Sequence, residues 1–456
     1  MSTDSLSLRN QLIYASGSFG GNILGRTKEL WLLFFYAPPE GEDLPRLAPV
    51  ALIGALLLVS RFIEALDDPL IGYWSDRTRT RWGRRIPFVV LATPFYALFF
   101  VLLWLPPIDH ESALNALYLF VVVEAFHLFS TLSGGPFESL LPEIAPGAKE
   151  RMTIVAWQVV FGAIGAGVGL VATGLLVETI GFAPMAAIVA TLALVSRYYA
   201  LRGAWSSVHL ETPPAEIGFR QAVRSTFANE QFRYFLPTFV LYTTGISVLI
   251  GVLPFFVTEV LERSKGQVAI FTAAAIAIVL VCLPFVYRLS MRRGKAWVYS
   301  AAMLIGAAYL PFIAFAGFIP GVPRFAQALV MIALVGVPMS AVQAFPNALM
   351  ADIVDYDALR TGMRREAIYY GTQALVEKTV SSLAPMILAL LLILGSTTDN
   401  PLGIRLAGPV AGLFVFAGWL SFRGYRLPDH VTPESVRAMH EGQRPSPADA
   451  PGSRSA

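Results

Sequence analysis

Apolar and polar positions alternate along this chain on a coarse scale: long apolar stretches recur, separated by short polar links. Twelve stretches can be placed, near 10–37, 48–75, 86–106, 113–141, 152–178, 181–201, 232–260, 267–289, 296–318, 323–350, 368–396 and 403–423. Each approaches or exceeds the roughly 20 residues a helix needs to cross a hydrocarbon core about 30 Å thick. The pattern therefore predicts an all-α membrane protein of twelve spans. Several stretches are interrupted by Gly or Pro, which membrane helices tolerate because neighbours re-satisfy the backbone. Gly162, Gly165, Gly167 and Gly169 in the fifth stretch suit close helix–helix approach in lipid.

The longest polar link, about 202–230, falls between the sixth and seventh stretches. It divides the chain into an N-terminal six-helix half, 1–201, and a C-terminal half, 231–423. The remainder, 424–456, is rich in Pro, Ser, Ala and charge and reads as a disordered tail. The first ten residues are polar and no short apolar core with a small-residue cleavage site follows, so the first helix reads as a retained anchor.

Composition supports the membrane assignment. The chain is 55% hydrophobic and 14% charged, against about 25% charged in soluble domains. A net charge of +3 is too small to point to nucleic acid. The single cysteine, Cys282, cannot form an internal disulfide and reads as a small buried hydrophobe.

Basic residues gather in alternate links. Arg77, Arg79, Arg81, Arg84 and Arg85 follow span 2, Lys149 and Arg151 follow span 4, Arg292, Arg293 and Lys295 follow span 8, and Arg360, Arg364 and Arg365 follow span 10. The intervening links hold Glu40, Glu42, Asp43, Asp109, Glu111 and Asp399. By the positive-inside rule both termini are expected in the cytoplasm, which an even span count permits. The halves also repeat. Arg81-Trp82-Gly83-Arg84-Arg85 after span 2 answers to Arg292-Arg293-Gly294-Lys295 after span 8, the glycines 211 positions apart. The segment 138–144 after span 4 answers to 347–353 after span 10, at an offset of 209. A duplicated six-helix unit is the architecture of the major facilitator fold, with a solute site between the halves near mid-membrane.

Charge inside the spans is the candidate chemistry. A carboxylate at mid-membrane costs roughly 2.5–3.5 kcal/mol on insertion scales, so it needs a partner or a function. Span 2 holds Glu64, Asp67 and Asp68 on neighbouring positions of one helical face. Close carboxylates repel unless a cation or proton sits among them, and hard cations prefer oxygen ligands. The cluster reads as a sodium or proton site coupling transport to an ion gradient, or as acids pairing with Arg61 and the arginines that follow. Span 1 carries Asn22, Arg26, Lys28 and Glu29, and span 11 carries Gln373, Glu377 and Lys378. Lys378 would either pair with an acid across the bundle or contact solute and cation. His127 and Trp157 read as packing residues, with a place on a cavity wall as the alternative. Asp76, Arg84, Arg85, Asp352, Asp355, Arg364 and Glu366 would meet at the cytoplasmic ends of the halves, where ion pairs lock a gate that breaks when the halves rock.

The run from Asp68 through Arg85, with Asp68-Pro69-Leu70-Ile71-Gly72-Tyr73-Trp74-Ser75-Asp76-Arg77 at its start, resembles the long loop of the glycoside–pentoside–hexuronide:cation symporters, the melibiose permease-like branch of the major facilitator superfamily. Ala351-Asp352-Ile353-Val354-Asp355-Tyr356, followed by Arg364-Arg365-Glu366-Ala367-Ile368-Tyr369-Tyr370, is similar to that family's motif between spans 10 and 11. The resemblance extends over nearly all twelve spans. It implies a cation set of Glu64, Asp67, Asp68 and Thr131, with Lys378 at the family's span-eleven lysine. Its sugar-binding positions fall at Asn22, Gly134, Gln158 and Glu138, so the carboxylates and arginine that hold sugar hydroxyls are not carried over. Candidate solute contacts here are Asn22, Gln158, Glu138, Gln373 and Lys378. The resemblance implies a monomeric symporter of the bacterial inner membrane that moves a sugar or glycoside-like solute with sodium or protons and needs no other cofactor. The same branch includes lysolipid symporters, which keeps an amphipathic solute open. A membrane enzyme would need a clustered metal set or an activated nucleophile, neither of which the sequence offers. A channel would not require matched gating loops on duplicated halves. A transport-inactive scaffold is the remaining alternative.

Overall fold

The computed structural model describes residues 6–40, 42–78, 80, 82–83, 85–145, 148–205, 226–362 and 366–428. Every regular element among them is helical. Span 1 is Leu8–Ala15 followed by Gly17–Tyr36, span 2 Val50–Arg77, span 3 Ile86–Leu102, span 4 Ala113–Ser139, span 5 Ala148–Ile180 and span 6 Phe182–Ala204. Span 7 is Glu230–Phe255 running into a π-helical turn, Phe256–Val260. Span 8 is Val268–Arg293, and span 9 is Lys295–Tyr309 with a 3₁₀ extension, Leu310–Phe315. Span 10 is Arg324–Ala344 continued by Pro346–Thr361, span 11 is Glu366–Ser381 and Leu383–Ile393, and span 12 is Leu402–Phe422. All twelve predicted stretches are therefore occupied by helix. Among the described residues nine helices are long and apolar enough to cross a membrane, and Ile86–Leu102 is apolar but shorter, as is the Val50–Ser60 part of span 2. Gly17–Tyr36 is set apart by its charges, Arg26, Lys28 and Glu29.

Breaks in these helices have local causes. Pro94, Pro136, Pro237, Pro254, Pro284, Pro338 and Pro409 sit inside spans, each removing one helical hydrogen bond that packing must tolerate. Span 10 breaks at Phe345, just before Pro346, because the proline has no N–H to donate to the preceding turn.

Span 1 packs most closely on span 5, and glycine makes this contact close. A Cβ at Gly165 would lie 2.4 Å from the Phe19 carbonyl oxygen, and one at Gly169 2.9 Å from that of Ile23. Gly162 likewise leaves room for Asn22, whose Nδ2 would be 3.0 Å away. Helix pairing maps onto itself under a shift of six spans: span 2 on span 4 answers to span 8 on span 10, and span 3 on span 4 to span 9 on span 10. Between the two sets, span 2 packs on span 11, span 5 on span 8 and span 1 on span 7.

Two ends of the bundle can be told apart by their links, a basic side and a far side. Several contacts joining the two sets lie toward the far side. Gly54 near the start of span 2 abuts Ala389 of span 11, and Gly174 of span 5 abuts the backbone of Ala269 in span 8. Gly266 N–H donates to Glu178 Oε2 at 3.1 Å, and Lys265 Nζ pairs with Glu42 at 2.6 Å. Toward the basic side, spans 1, 4, 5 and 10 line a cavity instead.

Candidate functional site

One largely buried polar group is built from four spans. Glu64 of span 2 is buried, and each of its carboxylate oxygens faces a nitrogen. Oε2 lies 3.5 Å from His127 Nδ1 on span 4, and Oε1 lies 3.8 Å from Lys378 Nζ on span 11. His127 Nε2 is 2.6 Å from Lys28 Nζ on span 1, and Nδ1 is 3.1 Å from Ser60 Oγ, one helical turn before Glu64. An ammonium offers only donors, so Nε2 must accept and the ring proton is assigned to Nδ1, where Glu64 and Ser60 accept it. Lys28 also stands 4.7 Å from the centroid of Phe126, whose face favours a cation. Lys28 and His127 are 8% and 3% exposed, so water screens this chain of charges little. Thr131 is buried one turn beyond His127 on span 4.

A cavity of about 400 Å³ opens on the basic side of this cluster. Ser18, Asn22 and Arg26 line it from span 1, Glu138 from span 4, Gln158 and Gly162 from span 5, and Gln343 from span 10. Gln158 Nε2 donates to Glu138 at 3.1 Å, and Asn22 Nδ2 donates to the Ser18 carbonyl at 2.8 Å. Arg26 is held by Glu29 at 2.5 Å. The wall thus offers carboxylate and amide acceptors together with amide and guanidinium donors, which suits a neutral solute bearing several hydroxyls.

Three of the five predicted solute residues, Asn22, Glu138 and Gln158, come together on this wall. The other two do not join it: Gln373 is buried on span 11 with its Oε1 unpartnered among the described residues, and Lys378 turns to Glu64. Of the cation set, Glu64 and Thr131 are both buried, on spans 2 and 4, while the side chains of Asp67 and Asp68 lie outside the described ones. His127 corrects the packing expectation. Its ring is hydrogen-bonded on both edges and bridges two charged residues, a role that spacing on one helix could not reveal. Lys28, Ser60, Arg26 and Gln343 were likewise not assigned from sequence. Arg197, buried on span 6, stacks 4.2 Å over the Phe137 ring beside Glu138, with its Nη1 unpartnered among the described residues.

Among the gating residues, Asp352 pairs with Lys295 at 2.6 Å and Arg85 Nη1 donates to the Ser139 carbonyl. Both contacts stay within one six-span set. Asp355 is exposed on the basic side. Asp76, Arg84, Arg364 and Glu366 lie outside the described residues or side chains.

Comparison with known proteins gives this arrangement a context. An uncharacterized symporter, sll1374, of Synechocystis sp. is 32% identical over 166 residues, spanning 35% of this chain and 29% of that protein. The inner membrane symporter YicJ of Escherichia coli is 23% identical over 388 residues, 83% of this chain and 81% of its own. The crystal structure of the nucleoside transporter NupG aligns with a TM-score of 0.63 at 12% identity over 92% of this chain and 99% of that one, a likeness of fold. The family described as MFS/sugar transport protein matches residues 13–401. A multi-pass helical bundle with paired six-span packing, a central polar cavity and this match place the chain in the MFS/sugar transport protein family, among the membrane transporters of the major facilitator superfamily.

Proposed function

We propose that the protein is a cation-coupled symporter of a sugar or glycoside-like solute in the bacterial inner membrane, working by alternating access. The observation that carries this reading is the juxtaposition of a hydroxyl-compatible cavity, walled by both six-span sets, with the buried Glu64 carboxylate, whose contact with Lys378 also bridges them. Asn22, Gln158 and Glu138, with Gln343 and Arg26, bind solute in this reading. Glu64, Asp67, Asp68 and Thr131 hold the coupling ion, sodium or a proton, and Lys378 exchanges between Glu64 and the cavity. The halves 1–201 and 231–423 rock about the site, with the link 202–230 and the tail 424–456 on the cytoplasmic side. Under the positive-inside rule the basic side is cytoplasmic, so the far-side contacts close the periplasmic gate and the cavity faces the cell. Asp76, Arg84, Arg85, Asp352, Asp355, Arg364 and Glu366 form the opposing gate when the cavity turns outward.

The test is uptake into proteoliposomes of a radiolabelled panel of neutral mono-, di- and trisaccharides, sugar acids and a lysolipid, each under an imposed sodium or proton gradient. At least one neutral saccharide should accumulate above its outside concentration and lose that accumulation with a matching ionophore. Accumulation of the lysolipid alone, or equilibration of every solute without accumulation, would overturn the reading.

A further inference from the structure

We propose that Arg197 is the positioning residue of the solute site: its buried guanidinium, set on the Phe137 ring behind the cavity wall, is the fixed counter-charge that holds the Glu138 carboxylate toward the solute. The inference rests on the reading of this cavity as the solute site. It goes beyond that reading by naming a residue that acts without touching solute.

An arginine inside a lipid-spanning helix is costly and calls for a partner or a function. Near a helix end the long side chain can reach out to water, as the exposed Arg202 on the same span is placed to do. Arg197 turns inward instead and is 7% exposed. Close packing fixes it there. The Phe137 ring is stacked on Tyr14 at 4.6 Å, and a Cβ at Gly17 would meet that ring at 2.5 Å, so the ring has little room to tilt. The guanidinium carbon lies 4.2 Å from the ring centroid, where the face attracts a cation. Gly21 of span 1 leaves the space beside it, since a Cβ there would lie 3.8 Å from Nη2.

Nη1 of Arg197 has no hydrogen-bond partner among the described residues, and the carboxylate that answers its charge is Glu138, the residue after Phe137. The other groups in reach are the phenols of Tyr14 and Tyr96, which are ordinarily neutral. Glu138 lines the cavity and accepts from Gln158 Nε2 on Oε2 at 3.1 Å. It is thus drawn from two sides, by the span 5 amide and by the span 6 guanidinium. Arg197 and Glu138 make no direct ion pair, and that separation matters. A direct pair would occupy the oxygen lone pairs, whereas a charge set behind the wall attracts the carboxylate and leaves them for solute hydroxyls. Enclosure of the guanidinium keeps water from screening this attraction. Arg26 cannot take the same part, because it is already held by Glu29 at 2.5 Å.

Two readouts test this on wild type, Glu138→Gln, Arg197→Gln, Arg197→Lys and the double variant Arg197→Gln/Glu138→Gln. The first is the thermal unfolding midpoint of the purified full chain in detergent, which needs no solute. Glu138→Gln leaves a buried charge without its counterpart, so the double variant should unfold at a higher temperature than Glu138→Gln alone. That comparison does not depend on Arg197→Gln folding by itself. A double variant that unfolds lower than Glu138→Gln, or does not fold, would overturn the proposal. The second readout is the half-saturating concentration of the saccharide that accumulates best in the uptake panel. Arg197→Gln should raise it roughly ten-fold and Arg197→Lys by no more than about three-fold. In the Glu138→Gln background Arg197→Gln should add less than about two-fold. An arginine that only supports the fold would multiply the half-saturation by the same factor in both backgrounds, and that result too would overturn the proposal. If no saccharide accumulates, the symporter reading falls on its own test and the solute role of Arg197 falls with it. The midpoints then still decide whether Arg197 answers Glu138.

Discussion

The contact between Lys28 and His127 makes a quantitative prediction. The bond is 2.6 Å long, involves a charged donor, and both side chains are almost wholly enclosed. A buried hydrogen bond to a charged group contributes about 1.5–3 kcal/mol, and removing one partner also leaves the other to bear its own desolvation. His127→Leu takes away the acceptor of a buried ammonium. Lys28→Met takes away the donor facing a buried imidazole nitrogen while keeping a long, flexible, apolar chain of similar volume. Each single variant should therefore lose at least about 1.5 kcal/mol. The double variant removes both polar ends and should cost less than the sum of the singles by roughly 1.5–3 kcal/mol. Equilibrium unfolding in mixed micelles, followed by tryptophan fluorescence, gives all four corners of the cycle. Additivity within about 0.5 kcal/mol would mean the two side chains do not interact, and the tautomer assignment built on their contact would go with it.

Other expectations are independent of that bond. Gly165→Val should lower stability by about 1–3 kcal/mol and slow uptake, because its Cβ would meet the Phe19 backbone at 2.4 Å and force spans 1 and 5 apart; an unchanged unfolding midpoint would refute the close contact. Glu42→Gln removes one end of the partly buried Lys265 pair at the far side and should increase the reactivity of a cysteine placed nearby in a Cys282→Ser background; unchanged labelling rates would count against a closing role. Gln158→Ala leaves Glu138 without its amide donor and should raise the half-saturating saccharide concentration by roughly 5–10-fold, the worth of about 1–1.4 kcal/mol, in the uptake assay. An unaltered half-saturation would remove Gln158 from the wall.

The fold was legible in the sequence because lipid imposes a single length scale. Every predicted stretch is occupied by helix, and the ends differ by a few residues except where polar residues extend a helix past the core, as in Pro346–Thr361 after span 10. The glycine stripe 162–165–169 was readable for the same reason, since small residues at a helical repeat have one main use in a bundle. The site was only half legible. Asn22, Glu138 and Gln158 could be singled out because they fall at the sugar-contacting positions of the family that the sequence resembles. Their meeting on one wall, and the inclusion of Gln343 from the other set, depend on how the spans cross, which no local pattern encodes. His127 shows the limit most plainly. Within span 4 it is one aromatic-like residue among Phe126 and Phe129, and packing was the natural reading. Its function follows from Lys28 and Glu64, which lie 99 positions before it and 63 positions before it in the chain. The signal that could have found it was the count of buried charges: Lys28 on span 1 needed an acceptor, and His127 was the one histidine inside a span.

The central claim is that the Glu64 carboxylate ties ion movement to solute movement. It is tested most directly by comparing wild type with Glu64→Gln in proteoliposomes, using the saccharide that the panel shows to accumulate best and an imposed ion gradient. Glu64→Gln should still exchange that saccharide across the membrane but should no longer raise it above its external concentration. Undiminished gradient-driven accumulation by a folded Glu64→Gln protein would contradict the account.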